Sequence, residues 1–167
     1  MHDWLVPLSR YNAWANERLW EKLAAVPDDR FVEDRKAFFG SLMGTLNHIL
    51  VGTRTWLDRC DGADGSWFKA LNQVLEPERE PLRRAMAAQD RRLIAFVEGR
   101  TPAELAGGLA YRNTRGEAFT SPLHWIVAHV VNHATHHRGQ ASDLIGGLGY
   151  PTPEMDLIYY LRQQKLA

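Results

Sequence analysis

At 167 residues, the chain has the length of one domain that can bury a sizeable core without disulfides or a structural metal. Twenty Lys and Arg residues are matched by twenty Asp and Glu residues, and neither sign runs in a long block, so there is no electrostatic footprint for nucleic acid or for a membrane surface. A single cysteine, Cys60, excludes an intrachain disulfide framework and fits a reducing compartment.

The first residues, MHDWLVPLSRYNAWANERLW, lack the basic and continuously apolar regions of a signal peptide. No stretch approaches the roughly 20 apolar residues of a membrane span. The expectation is a soluble, cytoplasmic protein. From Trp4 to about Ala25, Leu5, Leu8, Ala15, Leu19 and Leu23 recur at helical spacing, with Pro7 tolerable in the first turn. VPDDR ends that helix. A second helical pattern runs from about Ala37 to Cys60 through Leu42, Leu46, Ile49, Leu50, Trp56 and Leu57, until DGADGS stops it. After the short segment WFKALNQVL, Pro77 and Pro81 mark the start of a third helix, which carries Leu82, Met86, Leu93, Ile94 and Val97 to a stop at Gly99. Thr101, Pro102 and Glu104 form a capping-box pattern for one more helical turn. The period then changes: GLAYRNTRGEAFTS holds two short runs around an Asn-Thr-Arg-Gly turn, a small hairpin. Ser121 and Pro122 suit the N-cap and first position of a fourth long helix, which reaches the glycines at 146, 147 and 149. YPTP breaks it, and EMDLIYYLRQQ supplies a short closing helix. No repeat or internal linker is present. The pattern predicts an all-α protein, a four-helix bundle with a β-hairpin insert before the fourth long helix, as one domain over 1–167.

Four of the seven histidines fall in HVVNHATHHRGQ on the fourth helix. At about 100° per residue, and with His129 as zero, the apolar stripe from Leu123 to Leu148 centres near 100°. His137 lies at about 80° and His133 at about 40°, while His129 and His136 lie near 0° and −20°, toward the edge. His133 and His137 are therefore the inward pair, four residues apart and able to share one ion. A single inward histidine is more often a core group satisfied by hydrogen bonds. Two unpaired imidazoles in an apolar stripe are costly, and coordination of both is the better explanation. A catalytic metal needs a third ligand. His48, in the middle of the second helix, is a candidate, but its angle falls well off that helix's apolar stripe and does not decide the matter. Gly44 and Gly52, one turn to either side, predict a hollow beside its ring where a ligand or substrate could approach. His2 and His124 read as surface residues.

YNAWANERLW, LNHIL followed by TWLDR, and HVVNHATHHRGQ together resemble the DinB-like family, with YRNTRGEAFTSP similar to its hairpin. His-x-x-x-His-Arg-Gly-Gln at 133–140 is the most specific element. The resemblance spans nearly the whole chain and implies an up-down-down-up four-helix bundle, often a homodimer, with one divalent metal held by three histidines. Carried onto this sequence, the ligands are His48, His133 and His137. The family's range includes transferases that use low-molecular-weight thiols and hydrolase-like members.

Three neutral imidazoles leave the ion's double charge intact, which favours a metal-bound hydroxide or thiolate. Zinc or nickel is expected, and iron is compatible. No His-Glu-x-x-His motif is present, and Asp143, near −40°, faces solvent. His129 and His136 are the weak candidates for acid–base work; both also read as ordinary polar-edge residues. Asn12 or Asn16 is expected to hold the outer nitrogen of a ligand, and Arg138 to make a structural salt bridge. Trp14, Trp56 and Trp125 read as core packing. The leading expectation is a metal-dependent enzyme that activates a small thiol for transfer to an electrophile, with a small-molecule substrate. The alternatives are a non-catalytic metal-binding or interaction module, and a metal-dependent hydrolase of a small amide or ester.

Overall fold

The computed structural model describes residues 2–63 and 65–166. Its elements are α1 (His2–Leu23), α2 (Asp28–Val32), α3 (Leu42–Cys60), α4 (Arg79–Glu98), α5 (Pro102–Ala106), β1 (Gly108–Arg112), β2 (Ala118–Pro122), α6 (Leu123–Gly147) and α7 (Leu157–Gln163). The long helices follow the apolar periodicity. α1 tolerates Pro7 near its start and buries Leu5, Ala15, Leu19 and Leu23. α3 begins at Leu42 instead of near Ala37, because the Ser41 hydroxyl accepts from the Gly44 N–H at 3.1 Å and caps it there. The stop after α1 also holds a short helix that periodicity did not reveal: α2 has one turn and buries Phe31. α4 ends at Gly99, and α5 carries the full Thr101–Glu104 capping box.

Ion pairs and shared clusters fix the directions of the long helices. Arg10 pairs with Glu98 and Arg83 with Glu17, so α1 and α4 are antiparallel. Arg92 pairs with Asp58 and Asp61, while Leu42 and Leu46 cluster with Leu82 and Met86; α3 and α4 therefore run parallel. On the other side, Leu5 shares a cluster with Val127 and Leu19 one with Ala141, so α1 and α6 are parallel. The bundle is thus up-down-down-up. Two apolar clusters fill it, one around Leu19, Leu46 and Ile145, the other around Leu5, Leu57 and Val130.

A buried polar network lies between α1, α4 and α6. The amides of Asn12 and Asn16 donate to the Asp90 carboxylate at 2.8–3.0 Å, and their oxygens accept from Arg138 Nη1 at 2.6 and 3.0 Å. Arg138 is 1 % exposed and reaches Asp90 through the two asparagines, where a direct salt bridge was expected. Burial pushes the Asp90 carboxyl up to about 6, and the hydrogen bonds from Asn16, the charge of Arg138 and the hydrogen bonds from Asn12 hold it from rising further. Asn12 and Asn16 are saturated here and do not serve the histidine ligands.

Parallel neighbours need a return path along the bundle, and the segment between α3 and α4 supplies it. Asn47 pins this crossover: its Oδ1 accepts the N–H groups of Leu75 and Glu76 at 2.8 and 3.0 Å, and its Nδ2 donates to the Glu76 carbonyl at 2.9 Å. Trp67 donates to Asp58 at 2.6 Å and anchors the other end. The path therefore runs directly over the face of α3 that carries His48.

β1 and β2 form the expected antiparallel hairpin, with Tyr111 opposite Phe119. Gly116, at φ +82, supplies the left-handed residue of the turn. Ser121 and Pro122 pair with Leu109 and Gly108 as the end of β2. Ser121 is therefore not the helix cap: α6 starts at Leu123, with no side-chain cap at Pro122, and the Leu123 N–H is satisfied by the Gly107 carbonyl at 2.9 Å. His124 is half-buried on the Leu105 carbonyl, and His2 is half-buried on that of Arg100; neither is the free surface residue expected. Trp125 is 63 % exposed, so it lies outside the core, while Trp14 packs at the core edge against Tyr11 and Tyr160. Among the described residues no helix is long and apolar enough to cross a membrane.

Candidate metal centre

α3 and α6 pack antiparallel, which brings the middle of one against the middle of the other. His48 comes from α3, and His133 and His137 come from α6 one turn apart. One ring nitrogen from each lies within 4.8 Å of the others. His48 Nε2 is 3.0 Å from His133 Nε2, and the ring centroids of His137 lie 4.4 Å from both others.

The outer nitrogens settle which atoms face inward. His48 Nδ1 donates to the Leu71 carbonyl at 2.8 Å, and His137 Nδ1 donates to Gln140 Oε1 at 2.8 Å. Carbonyl oxygens only accept, so in the neutral rings the protons sit on Nδ1 and the Nε2 lone pairs point into the cluster. Converging lone pairs repel unless a proton or a cation lies between them. The donor set thus fits a divalent ion bound by imidazole, and carbonyl partners on the far nitrogens are what ligand orientation requires. Gln140 also donates from Nε2 to His136 Nε2 at 3.3 Å, tying a rim histidine to this ligand's support.

All three imidazoles are biased to the neutral form that binds metal. Burial lowers the pKa of His133 to about 3, with further repulsion from His137 and His48. Burial likewise lowers His48 and His137, and the Leu71 carbonyl and Gln140 respectively offset part of the effect.

Phe39, in the turn before α3, stacks on His48 with centroids 3.9 Å apart and meets His137 edge-on at 5.4 Å. Its position explains Gly44: a Cβ there would lie 2.0 Å from the Phe39 carbonyl oxygen. At Gly52 a Cβ would lie 2.6 Å from His133 Cε1. Gly44 therefore admits the Phe39 backbone and leaves no hollow, whereas Gly52 admits the His133 ring and lines a cavity beside His48, where its spacing had suggested one. His48 is buried although it lies off the apolar stripe of α3, because Phe39 and the crossover cover it from outside the helical bundle.

A cavity of about 370 Å³ opens beside His48 and His133. Its walls include Trp56 and Arg59 from α3, Phe68 and Leu71 from the crossover, and Tyr111 and Phe119 from the hairpin. Trp56 therefore packs on the edge of the second apolar cluster, as expected, and is a cavity wall as well. His129 lines the same cavity, 5.1 Å from the Trp56 ring, and its pKa is lowered first by partial burial and then by the charge of Arg59. His136 is exposed and 4.8 Å from His137; it is not among the cavity's walls. Asp143 faces solvent. Among the described residues no carboxylate lines the cavity. Cys60 is half-buried, and its thiol is pushed up to about 11 by burial and by Asp61, so it stays protonated. Sequence reasoning missed Phe39, the Leu71 carbonyl and Arg59. Only Arg59 carried a signal, since eleven residues after His48 is about three turns and returns to the same helix face.

A model of the DinB family matches residues 1–166. The chain belongs to the DinB family. It is 25 % identical over 170 residues to Protein DinB of Bacillus subtilis, which spans 99 % of this chain and 98 % of that protein. A crystal structure of a DinB-like protein from Bacillus cereus is similar in fold, with a TM-score of 0.50 and 20 % identity, over 84 % of this chain and 90 % of the other. The hairpin that walls the cavity and the three histidines sit within the span of the DinB family match.

Proposed function

We propose that this protein is a metal-dependent enzyme in which His48, His133 and His137 hold one divalent ion, zinc or nickel first and iron as a compatible choice, and that it activates a small thiol for transfer to an electrophile. The observation that carries this reading is the convergence of three imidazoles, two of them anchored through Nδ1, beside a cavity that His48 and His133 line. His48, His133 and His137, all neutral ligands, would leave the full charge of such an ion in place, and it would supply the Lewis acidity that lowers the pKa of a small thiol or of water toward neutrality.

The chain's own residues favour the thiol. Hydrolysis needs a group to move protons to a leaving amine or alcohol, and no carboxylate lines the cavity among the described residues. Among the described residues His129 is the titratable imidazole at the cavity apart from the ligands, and with its ring centroid 5.9 Å from that of His133 it is our candidate to take up the thiol proton. Trp56, Tyr111 and Phe119 give the cavity aromatic walls on which the body of a substrate can pack.

Elemental analysis of protein purified without chelator or nickel resin tests the ion, with one equivalent expected. Turnover of 1-chloro-2,4-dinitrobenzene and related electrophiles, with and without added small thiols, tests the reaction. Thiol-dependent turnover that is lost in His137→Ala supports the proposal. One bound ion with no turnover across a broad panel, together with collapse of the fold in His137→Ala, would instead assign the ion a bracing role between α3 and α6.

A further inference from the structure

The cavity contains a fixed positive charge that the histidine cluster does not use. Arg59 lies on the His48 face of α3, and helical side chains lean toward the N-terminus, which here is toward the histidines. Its guanidinium carbon is 4.6 Å from the ring centre of Trp56 and 5.4 Å from that of Tyr111. Among the described residues no carboxylate or carbonyl accepts a hydrogen bond from it, whereas its neighbours Arg54 and Arg92 pair with Asp58 and Asp61. A guanidinium supported on an aromatic face keeps its N–H edges free, and that planar fork matches a carboxylate. Burial already disfavours the charge at this position, and a cation partly removed from water gains most from an anion brought beside it. Among the described residues no acidic side chain lines the cavity to repel such an anion, and Trp56, Phe68, Tyr111 and Phe119 give it aromatic walls.

We propose that the cavity binds an organic carboxylate, with the carboxylate on the Arg59 fork, an apolar or planar body between Trp56, Tyr111 and Phe119, and the other end directed at His133. This deepens the enzyme reading above and rests on it for the identity of the cavity as a substrate site. Arg59 then selects the substrate, while the histidines perform the chemistry. The aromatic walls and the cavity's length along α3 suit a molecule with a body and not a bare inorganic anion.

The probes are 4-phenylbutyrate and its uncharged primary amide, titrated calorimetrically into the full chain at low salt. Wild type is expected to bind the acid at least about ten-fold more tightly than the amide. In R59Q that preference falls to near unity while the amide binds as before, and R59K retains part of it because the charge survives without the fork. Equal affinity for acid and amide in wild type overturns the proposal, as does an unchanged preference in R59Q or failure of both probes to bind at millimolar concentration. The wild-type comparison decides the matter even if R59Q does not fold. Metal content measured on the same samples separates the two ideas. A preference for the acid without bound metal supports the Arg59 site and defeats the ion reading, and bound metal without that preference does the reverse.

Discussion

Replacing Gly52 with alanine places a methyl carbon 2.6 Å from Cε1 and 3.0 Å from Nδ1 of His133, where ordinary contact begins at 3.4 Å. The obstructing atoms are the end of a side chain, so the ring can swing away by about 1 Å at small cost to the fold. A metal site does not share that tolerance, because ligand distances hold to about 0.2 Å. Gly→Ala within a helix gains up to about 1 kcal/mol in propensity, and local overpacking costs about 1–3 kcal/mol. The metal-free variant should therefore unfold in urea within about 2 kcal/mol of wild type. Metal affinity, read by competition with a chromophoric chelator, should fall about 10–100-fold, the range seen when ligand orientation is disturbed. Gly139→Ala on α6 is the control: nothing lies within 4 Å of the added methyl, so stability should rise by up to about 1 kcal/mol with affinity unchanged. An unaltered metal dissociation constant in Gly52→Ala would refute the placement of His133 as a ligand. Gly44→Ala meets backbone at 2.0 Å, cannot relax in the same way, and should destabilise the start of α3 itself.

Further outcomes follow from the same geometry. Gln140→Leu removes the acceptor on His137 Nδ1 and should weaken metal binding about 10–100-fold, while Gln140→Glu, which keeps an acceptor, should retain most of it; chelator competition distinguishes them. Metal affinity should stay nearly level from pH 8 to pH 6, since burial lowers all three candidate ligands below the ordinary histidine value; a loss approaching three protons' worth of competition across that range would contradict this. The stability of the metal-free protein should rise with pH. The unfolded chain protonates its histidines below about 6.5, whereas folded His133 resists protonation until about 3. Its stabilisation is therefore complete above pH 6.5 and is lost as pH falls through that window. Asp90, raised to about 6, opposes the trend between about pH 4 and 6, and urea midpoints in His133→Asn should show the flatter profile that remains. Arg138→Met strands the oxygens of Asn12 and Asn16 beside a buried carboxylate and should cost about 3–5 kcal/mol, measured by chemical denaturation.

Much of the molecule was legible as periodicity. The long helices, the hairpin and the inward placement of His133 and His137 all follow from side-chain direction within single elements, which spacing along the chain determines. The errors fall where one element meets another. Ser121 looked like a helix cap because cap chemistry is local, but its backbone is claimed by Leu109 across the hairpin. Asn12 and Asn16 were near enough in principle to serve the histidines, but Asp90 and Arg138 saturate them.

His48 shows the division most clearly. Its residue type and helical setting were visible, but its angle pointed away from the core of its own helix. It is buried because a parallel pairing of α3 and α4 forces a long crossover over that face, and because Phe39 folds back upon it. The aromatic walls and Arg59, which pairs with no carboxylate among the described residues, meet in space from α3, the crossover and the hairpin. The sequence by itself determined which way each side chain leaves its own helix or strand, since that depends on fixed turns per residue. Only the tertiary structure decided what each side chain meets there, since burial, hydrogen-bond partners and cavity walls come from segments far apart along the chain.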